Sequence, residues 1–190
     1  TKTGTGDLLI DQAQTYTGTT SIDNGTLQLK TGADLSNQTD VDVATGSNFD
    51  LNGVSVAIDG LSGAGSVKLG AATLTLGSND QATATHTGAI TGSGNLTKNG
   101  TGTQTLSNAS YGGNTTVNNG ILITDSSTDL SGDVTVEMGA KWQVDVADTV
   151  GGLTANGTVE ANQDLTTSSL SGASGDIQVA SGETFETASG

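Results

Sequence analysis

The chain has 190 residues, and its 20 acidic residues outnumber five basic ones, which gives a net charge of −15. Such a surface repels phosphate backbones and anionic lipid headgroups, so the charge argues against nucleic acid as a partner. The absence of cysteine excludes disulfides and thiolate metal sites, and no apolar run approaches the roughly 18 residues that a membrane-spanning helix needs.

Short stretches in which apolar and small polar residues alternate recur along the whole chain. A period of two, rich in β-branched residues, is typical of half-buried strands. No stretch has the 3.6-residue periodicity of an amphipathic helix. The predicted strands, in chain order, cover residues 7–11, 20–23, 26–30, 41–44, 49–51, 66–69, 73–76, 95–98, 104–107, 115–118, 121–124, 133–137, 142–146, 158–161 and 176–180.

One long sequence segment, called the doubled phrase below, occurs twice in the chain. Residues 2–27 read KTGTGDLLIDQAQTYTGTTSIDNGTL, and residues 98–122 read KNGTGTQTLSNASYGGNTTVNNGIL. The match continues beyond the phrase, which predicts a single solenoid over residues 1–190 made of two imperfect copies, about 1–96 and 97–190. With one deletion after Ser110, the following pairs of motif residues align and are predicted to have a structural role: Gly4 and Gly100, Gly6 and Gly102, Tyr16 and Tyr111, Gly18 and Gly113, Asn24 and Asn119, Gly25 and Gly120.

Asn-Gly pairs separate many of the predicted strands. Both residues adopt positive φ at low cost, and between two strands they ordinarily predict a hairpin with antiparallel pairing. The long repeat favours a different interpretation, in which each pair turns the chain through part of a coil. The absence of proline fits this interpretation, because every coil must donate hydrogen bonds to the next.

The sequence therefore predicts an all-β protein, a parallel β-helix of about nine coils with about 20 residues in each. Alternation along the strands identifies the side chains that would point into its core. The predicted inward residues are Leu8, Ile10, Ile22, Leu27, Leu29 and Val43 in the first copy, and Leu106, Val117, Leu122 and Val136 in the second.

The doubled phrase, GTGxxxL…YTGxTxIxNGTLxL at residues 4–29, resembles the passenger-associated transport repeat of bacterial autotransporters. The resemblance implies a right-handed parallel β-helix, displayed on the bacterial cell surface or secreted through the outer membrane. Its membrane contact would be made only by a C-terminal barrel that this chain does not contain. Residues 177–190 restart a repeat-like phrase and then stop, so we expect the chain to be a piece of a longer passenger.

The residues that could carry chemistry are few. Asp40 with Asp42, and Asp145 with Asp148, are spaced so that two carboxylates could share a proton or an ion, as in a glycan-cleaving β-helix. The chain has no arginine to support such chemistry, and solvent-facing acids explain these pairs better. His86, the only histidine, has no recognisable nucleophile nearby and is predicted to lie at the surface or at a corner. The sequence therefore predicts no catalytic, cofactor-binding or metal-binding residues.

Phe49 and Trp142 align in the two copies, which favours packing over the adjacent coil, with sugar binding as the alternative. The predicted function is that of a non-enzymatic passenger segment, a stalk with an adhesive or self-associating surface, as in cell aggregation or biofilm formation. Its partner would be a second copy or a host glycan or protein receptor, and no binding residue is singled out. The alternatives are a polysaccharide-modifying enzyme and the stalk of a proteolytic passenger whose active domain lies outside this chain.

Overall fold

A computed structural model of the protein describes residues 1–80, 83–172 and 174–188. The described residues form short strands joined by tight corners, and none of them lies in a helix. Accordingly, no helix long and apolar enough to cross a membrane is found among them. The strands are β1 (Asp7–Ile10), β2 (Thr20–Ile22), β3 (Thr26–Leu29), β4 (Val41–Val43), β5 (Asn48–Asp50), β6 (Val56–Ala57), β7 (Leu61–Gly63), β8 (Ser66–Gly70), β9 (Thr73–Leu76), β10 (Thr83–His86), β11 (Ile90–Gly92), β12 (Asn95–Lys98), β13 (Thr103–Leu106), β14 (Ala109–Tyr111), β15 (Thr115–Val117), β16 (Ile121–Thr124), β17 (Asp129–Leu130), β18 (Val134–Val136), β19 (Lys141–Val144), β20 (Asp148–Ala155), β21 (Thr158–Ala161), β22 (Leu165–Ser171), β23 (Asp176–Val179) and β24 (Phe185–Thr187).

Three parallel sheets form the walls of the rod. The seven-stranded sheet has the order β1-β3-β5-β8-β11-β14-β17, and the nine-stranded sheet has the order β2-β4-β7-β10-β13-β16-β19-β21-β23. The eight-stranded sheet runs β24-β22-β20-β18-β15-β12-β9-β6. Each strand pairs with the strand of the same sheet in the next coil, and the result is a β-solenoid of about nine turns. The prediction of an all-β parallel β-helix with about nine coils is confirmed.

The core is a narrow column of side chains from the three sheets. Inward positions on successive coils stack directly, as in the register Leu27, Phe49, Val67 in one sheet and the register Leu122, Trp142 in another. Each of these side chains is at most 1% exposed. Because the alternation has a period of two, the polar residues between them face solvent.

Eight of the ten predicted inward residues lie in this core. For Leu8 the prediction is wrong, because its side chain is 43% exposed, and Ile10 is only partly buried. Both belong to β1, which lies at one edge of the seven-stranded sheet and pairs only with β3. An inward-pointing side chain is buried only where coils stack on both sides of it.

The two copies of the repeat occupy different faces of the rod. In the first copy, β3 and β5 lie in the seven-stranded sheet, whereas their counterparts β16 and β19 lie in the nine-stranded sheet. The strands β2 and β4 of the nine-stranded sheet correspond in the same way to β15 and β18 of the eight-stranded sheet. The repeating unit is therefore not a whole number of coils, and the second copy is rotated from the first by one face.

Candidate functional site

A continuous column of hydroxyl groups runs along the outer surface of the eight-stranded sheet. We call it the hydroxyl ladder. Its members are aligned in register on consecutive coils, where neighbouring strands are about 4.7–4.9 Å apart. The ladder consists of Thr75, Thr97, Thr116, Thr135, Thr154 and Ser171.

The ladder side chains are half-buried by their neighbours along the column, except for Ser171, which is exposed. Thr154 Oγ1 and Ser171 Oγ lie 3.0 Å apart, within hydrogen-bonding distance. Each remaining hydroxyl can donate one hydrogen bond and accept others, so the ladder presents a regular array of polar groups. Sequence analysis did not single out these residues, although the threonines recur at intervals of 22, 19, 19 and 19 residues.

A second column lies beside the hydroxyl ladder on the same sheet. The Oδ1 atom of Asn95 accepts a hydrogen bond from the backbone N–H of Asn114 at 2.8 Å, and Asn114 Oδ1 accepts from Asp133 N–H at 3.2 Å. Asp133 Oδ1 accepts in turn from Gly152 N–H at 2.6 Å. These side chains are exposed, and their hydrogen bonds tie each coil to the next.

The candidate acid pair Asp40 and Asp42 lies on the nine-stranded side, and each carboxylate is hydrogen-bonded to the next coil. Asp40 Oδ1 accepts a hydrogen bond from Gly60 N–H at 2.9 Å, and Asp42 Oδ1 accepts from Ser62 Oγ at 2.9 Å. Both side chains are half-buried, not fully solvent-facing as predicted. Their hydrogen bonds to the next coil are those expected of structural residues.

In the other candidate pair, Asp145 and Asp148, the two carboxylates also have separate hydrogen-bond partners. Asp145 is half-buried and accepts hydrogen bonds from Gln143 and Asn162, at 2.8 and 2.7 Å. The prediction that Asp148 faces solvent is wrong, because its side chain is 6% exposed and receives hydrogen bonds from the backbone N–H groups of Leu130 and Thr149. Burial raises the pKa of Asp148 to about 6, although these two N–H donors oppose the rise.

Asp148 lines a groove of about 370 Å³ together with Asp129 and Asp164. Three carboxylates in one groove raise the question of a metal ion. Within the described residues, however, no three acidic or histidine side chains are arranged to hold one. The raised pKa of Asp148 therefore reflects burial, to which the charge of Asp129 adds, and not a ligand set.

The prediction for His86 is wrong as well, because the ring is fully buried on the inner side of β10. Its Nδ1 atom lies 3.1 Å from the carbonyl oxygen of Ser62, which can only accept, so Nδ1 carries the proton. The other nitrogen, Nε2, has no hydrogen-bond partner in the described part of the chain. Burial lowers the pKa of His86, while the Ser62 carbonyl and the charge of Asp42 oppose the shift.

The aligned aromatic residues of the two copies pack in the core. Phe49 and Trp142 are both fully buried, and Trp142 donates from Nε1 to Thr124 Oγ1 at 3.1 Å. The predicted packing role is confirmed, and the sugar-binding alternative is excluded because neither ring reaches the surface.

The two motif tyrosines each contact a threonine four residues later. Tyr111 is buried with its hydroxyl 2.7 Å from Thr115 Oγ1, whereas Tyr16, in the edge coil, is 40% exposed.

Three of the four motif glycines meet at one corner in each copy, namely Gly4, Gly6 and Gly25 in the first and Gly100, Gly102 and Gly120 in the second. Gly18 and Gly113 are not among these contacts. A Cβ atom added to Gly25 would lie 2.6 Å from the carbonyl oxygen of Gly4, and one added to Gly120 would lie 2.5 Å from that of Gly100. Gly25 and Gly120 have φ values of +75° and +67°. Only glycine combines this conformation with such a close approach of two coils.

The same corner holds a lysine ammonium in both copies. Lys2 Nζ donates to the carbonyl oxygen of Gly4 and, at 2.8 Å, to that of Asn24. Lys98 Nζ donates to the carbonyl oxygens of Asn99, of Gly100 at 2.9 Å and of Asn119 at 3.3 Å. The two lysines align in the repeat, which is the signal that could have identified them, but sequence analysis did not assign them a role.

Comparison with known proteins matches these corners to a named repeat. The family described as Passenger-associated-transport-repeat matches residues 1–29 and 96–123. The adhesin BmaC autotransporter of Brucella suis biovar 1 (strain 1330) is 43% identical over 128 residues, which cover 64% of this chain. These two findings support an autotransporter passenger domain.

The two matched segments contain the lysine corners and all twelve motif glycines, tyrosines and asparagines. The aligned region covers only 4% of the length of the Brucella protein. No solved structure matches the chain.

Proposed function

We propose that this passenger segment is a non-enzymatic stalk, displayed at the bacterial cell surface through the outer membrane, that adheres through its hydroxyl ladder. The observation that supports the proposal is the unbroken column from Thr75 to Ser171 on one face of the rod. The relationship to an autotransporter adhesin supports the same role.

The partner we propose is a second copy of the chain. A ladder repeating at the strand spacing is complementary in spacing to another ladder of the same kind, so many weak hydrogen bonds can form at once. Repulsion between two chains of net charge −15 opposes this contact, and salt screens the repulsion. Association of this kind should therefore strengthen as the salt concentration rises.

A non-enzymatic role is supported by what the candidate chemical groups do. Asp42 and Asp148 accept hydrogen bonds from neighbouring coils, and His86 is enclosed in the core. Asp148 shares a groove with Asp129 and Asp164, but its side chain is only 6% exposed and is held by the backbone N–H groups of Leu130 and Thr149. An enzyme acting on polysaccharides has no supporting observation among the described residues.

The test is sedimentation equilibrium of the wild-type chain and two matched variants at low and high salt. Thr116→Lys with Thr135→Lys places two lysines on neighbouring coils of the ladder, and Thr91→Lys with Ser110→Lys does the same on the seven-stranded sheet. We expect reversible dimers for the wild type and the control variant, and monomers for the ladder variant. Far-UV circular dichroism checks that all three remain folded.

Two outcomes would contradict the proposal. A wild type that stays monomeric at every concentration and salt level would exclude self-association and leave a receptor of another kind as the partner. Equal loss of association in both double variants would show that the contact does not depend on the ladder.

A further inference from the structure

The repeat corner has the features of a built cation site. Lys98 is 2% exposed, yet its ammonium group lies among three carbonyl oxygens that come from two successive coils. Asn99 and Gly100 follow the lysine in its own coil, and Asn119 belongs to the next one. Three donors and three acceptors match in number, which is the condition for burying an ammonium group without a large loss of stability.

The electrostatic surroundings also favour a cation at this position. Burial lowers the pKa of Lys98, and the charges of Asp80 and Asp59 oppose that shift. Asp80 is held at the corner by hydrogen bonds that its Oδ1 atom accepts from the backbone N–H of Thr101 at 2.8 Å and from the Thr101 hydroxyl at 3.4 Å. The site thus combines carbonyl dipoles at short range with carboxylate charge at longer range.

Glycine provides the space for the ammonium group. A Cβ atom added to Gly77 would lie 3.1 Å from Lys98 Nζ, and one added to Gly25 would lie 2.7 Å from Lys2 Nζ. In both copies, therefore, carbonyl oxygens of two successive coils and a neighbouring glycine enclose one cation, although the glycine lies in the following coil for Lys2 and in the preceding coil for Lys98. The arrangement occurs twice, on different faces of the rod, so it belongs to the motif and not to one local environment.

We propose that each repeat corner is an ammonium-binding site, occupied by the lysine of the repeat, which ties one coil to the next and which binds a small alkylammonium ion when that lysine is removed. The lysine holds the carbonyl oxygens of both coils in one cluster. Without it, the oxygens of Asn99, Gly100 and Asn119 keep the same hydrogen-bonding demand and face each other with no donor between them.

The experiment is chemical rescue of Lys98→Ala in the full chain, with methylammonium chloride as the probe. We expect the thermal midpoint, followed by circular dichroism, to fall by about 5–10 °C, since several buried acceptors lose their donor in a chain of this size. Methylammonium should restore part of the loss with saturation. Tetramethylammonium chloride at the same ionic strength has no N–H donor and should restore nothing.

The matched control is Lys68→Ala, because Lys68 is an exposed lysine on the seven-stranded sheet. Its midpoint should stay within about 1 °C of the wild type and should respond equally to the two salts. The proposal is overturned if Lys98→Ala melts with the wild type, or if methylammonium and tetramethylammonium act alike on it.

A second measurement uses the wild-type chain and therefore does not depend on the folding of a variant. The chain contains only five lysines, so the ¹⁵N-labelled ammonium groups can be resolved by NMR. An ammonium group enclosed by carbonyl oxygens exchanges its protons with water slowly, whereas the exposed ammonium group of Lys68 should exchange them fast. We expect slowly exchanging signals that are assigned to Lys98 and, at the edge coil, to Lys2. Equal exchange of all five groups would contradict the site.

Discussion

Replacing the buried carboxylate Asp148 with asparagine should make the rod more stable at neutral pH. Its pKa is raised from 3.8 to about 6, mainly by burial. The unfolded chain therefore ionises this group at lower pH than the folded chain does, and stability falls as the pH rises from about 4 to about 6 and stays low above that. The shift of about two pKa units corresponds to about 3 kcal/mol, an upper limit for the gain in Asp148→Asn at pH 7.5.

The substitution suits the site, because the asparagine side-chain oxygen can still accept from the N–H groups of Leu130 and Thr149. The amide also carries no charge to repel Asp129. The free energy of unfolding in urea should rise by about 1–3 kcal/mol at pH 7.5 and change little at pH 4. Fluorescence of Trp142, the only tryptophan, follows unfolding in the coil that leads into Asp148, which matters because repeat proteins can unfold in segments.

The control is Asp11→Asn, which also removes one negative charge, but at an exposed position. Its stability should match the wild type within about 0.5 kcal/mol at both pH values. If Asp148→Asn is no more stable than the wild type at pH 7.5, or if its gain is the same at pH 4, then burial of the ionised carboxylate is not a cost to this fold.

Three further predictions concern His86, Gly120 and Trp142. Because burial lowers the pKa of His86, stability should fall as the pH drops below about 6.5, and His86→Leu should reduce that dependence in thermal melts between pH 5 and 8; identical pH profiles would count against it. Gly120→Ala should lower the free energy of unfolding by about 2 kcal/mol or more, since it adds an overlap with the Gly100 carbonyl to the strain at positive φ. Gly139→Ala is its control, with φ +85° but open space around the added methyl group, and should lose only about 1 kcal/mol; equal losses in urea unfolding would refute the overlap. Trp142→Ala should cost about 3–5 kcal/mol in the same assay, and a cost below about 1 kcal/mol would mean that the ring is not packed as described.

The fold could be predicted because two independent signals agree in the sequence. Period-two alternation located the strands, and the doubled phrase indicated stacking, which decided that Asn-Gly pairs such as 24–25 form corners and not hairpins. The strands that were missed are short or rich in glycine and small residues, as in β7 (LSG), β11 (ITG) and β14 (ASY). Such segments become strands because the coils on both sides offer backbone groups for hydrogen bonding. This depends on the stacking of coils and not on the local sequence.

The errors at His86 and Asp148 have one cause. Residue type suggests exposure for both, but in a solenoid the direction of a side chain is set by its place in the coil. His86 aligns with Leu106 on the next coil, and Asp148 begins a strand whose inward positions include Val150. Polarity did not override that alternation. The hydroxyl ladder was missed for a related reason, because threonine is so frequent that only the coil register separates its members from the others.

The rotation of the second copy places the lysine corner beside the hydroxyl ladder. Lys98 ends β12 in the eight-stranded sheet, directly after the ladder residue Thr97. Its ammonium group binds carbonyl oxygens at residues 99, 100 and 119 and so fixes the coil of Thr97 against the coil of Thr116. A slip of one residue between those coils would turn every following threonine of the column toward the core. The lysine corner is therefore suited to hold neighbouring coils in register, and the proposed adhesive surface depends on that register.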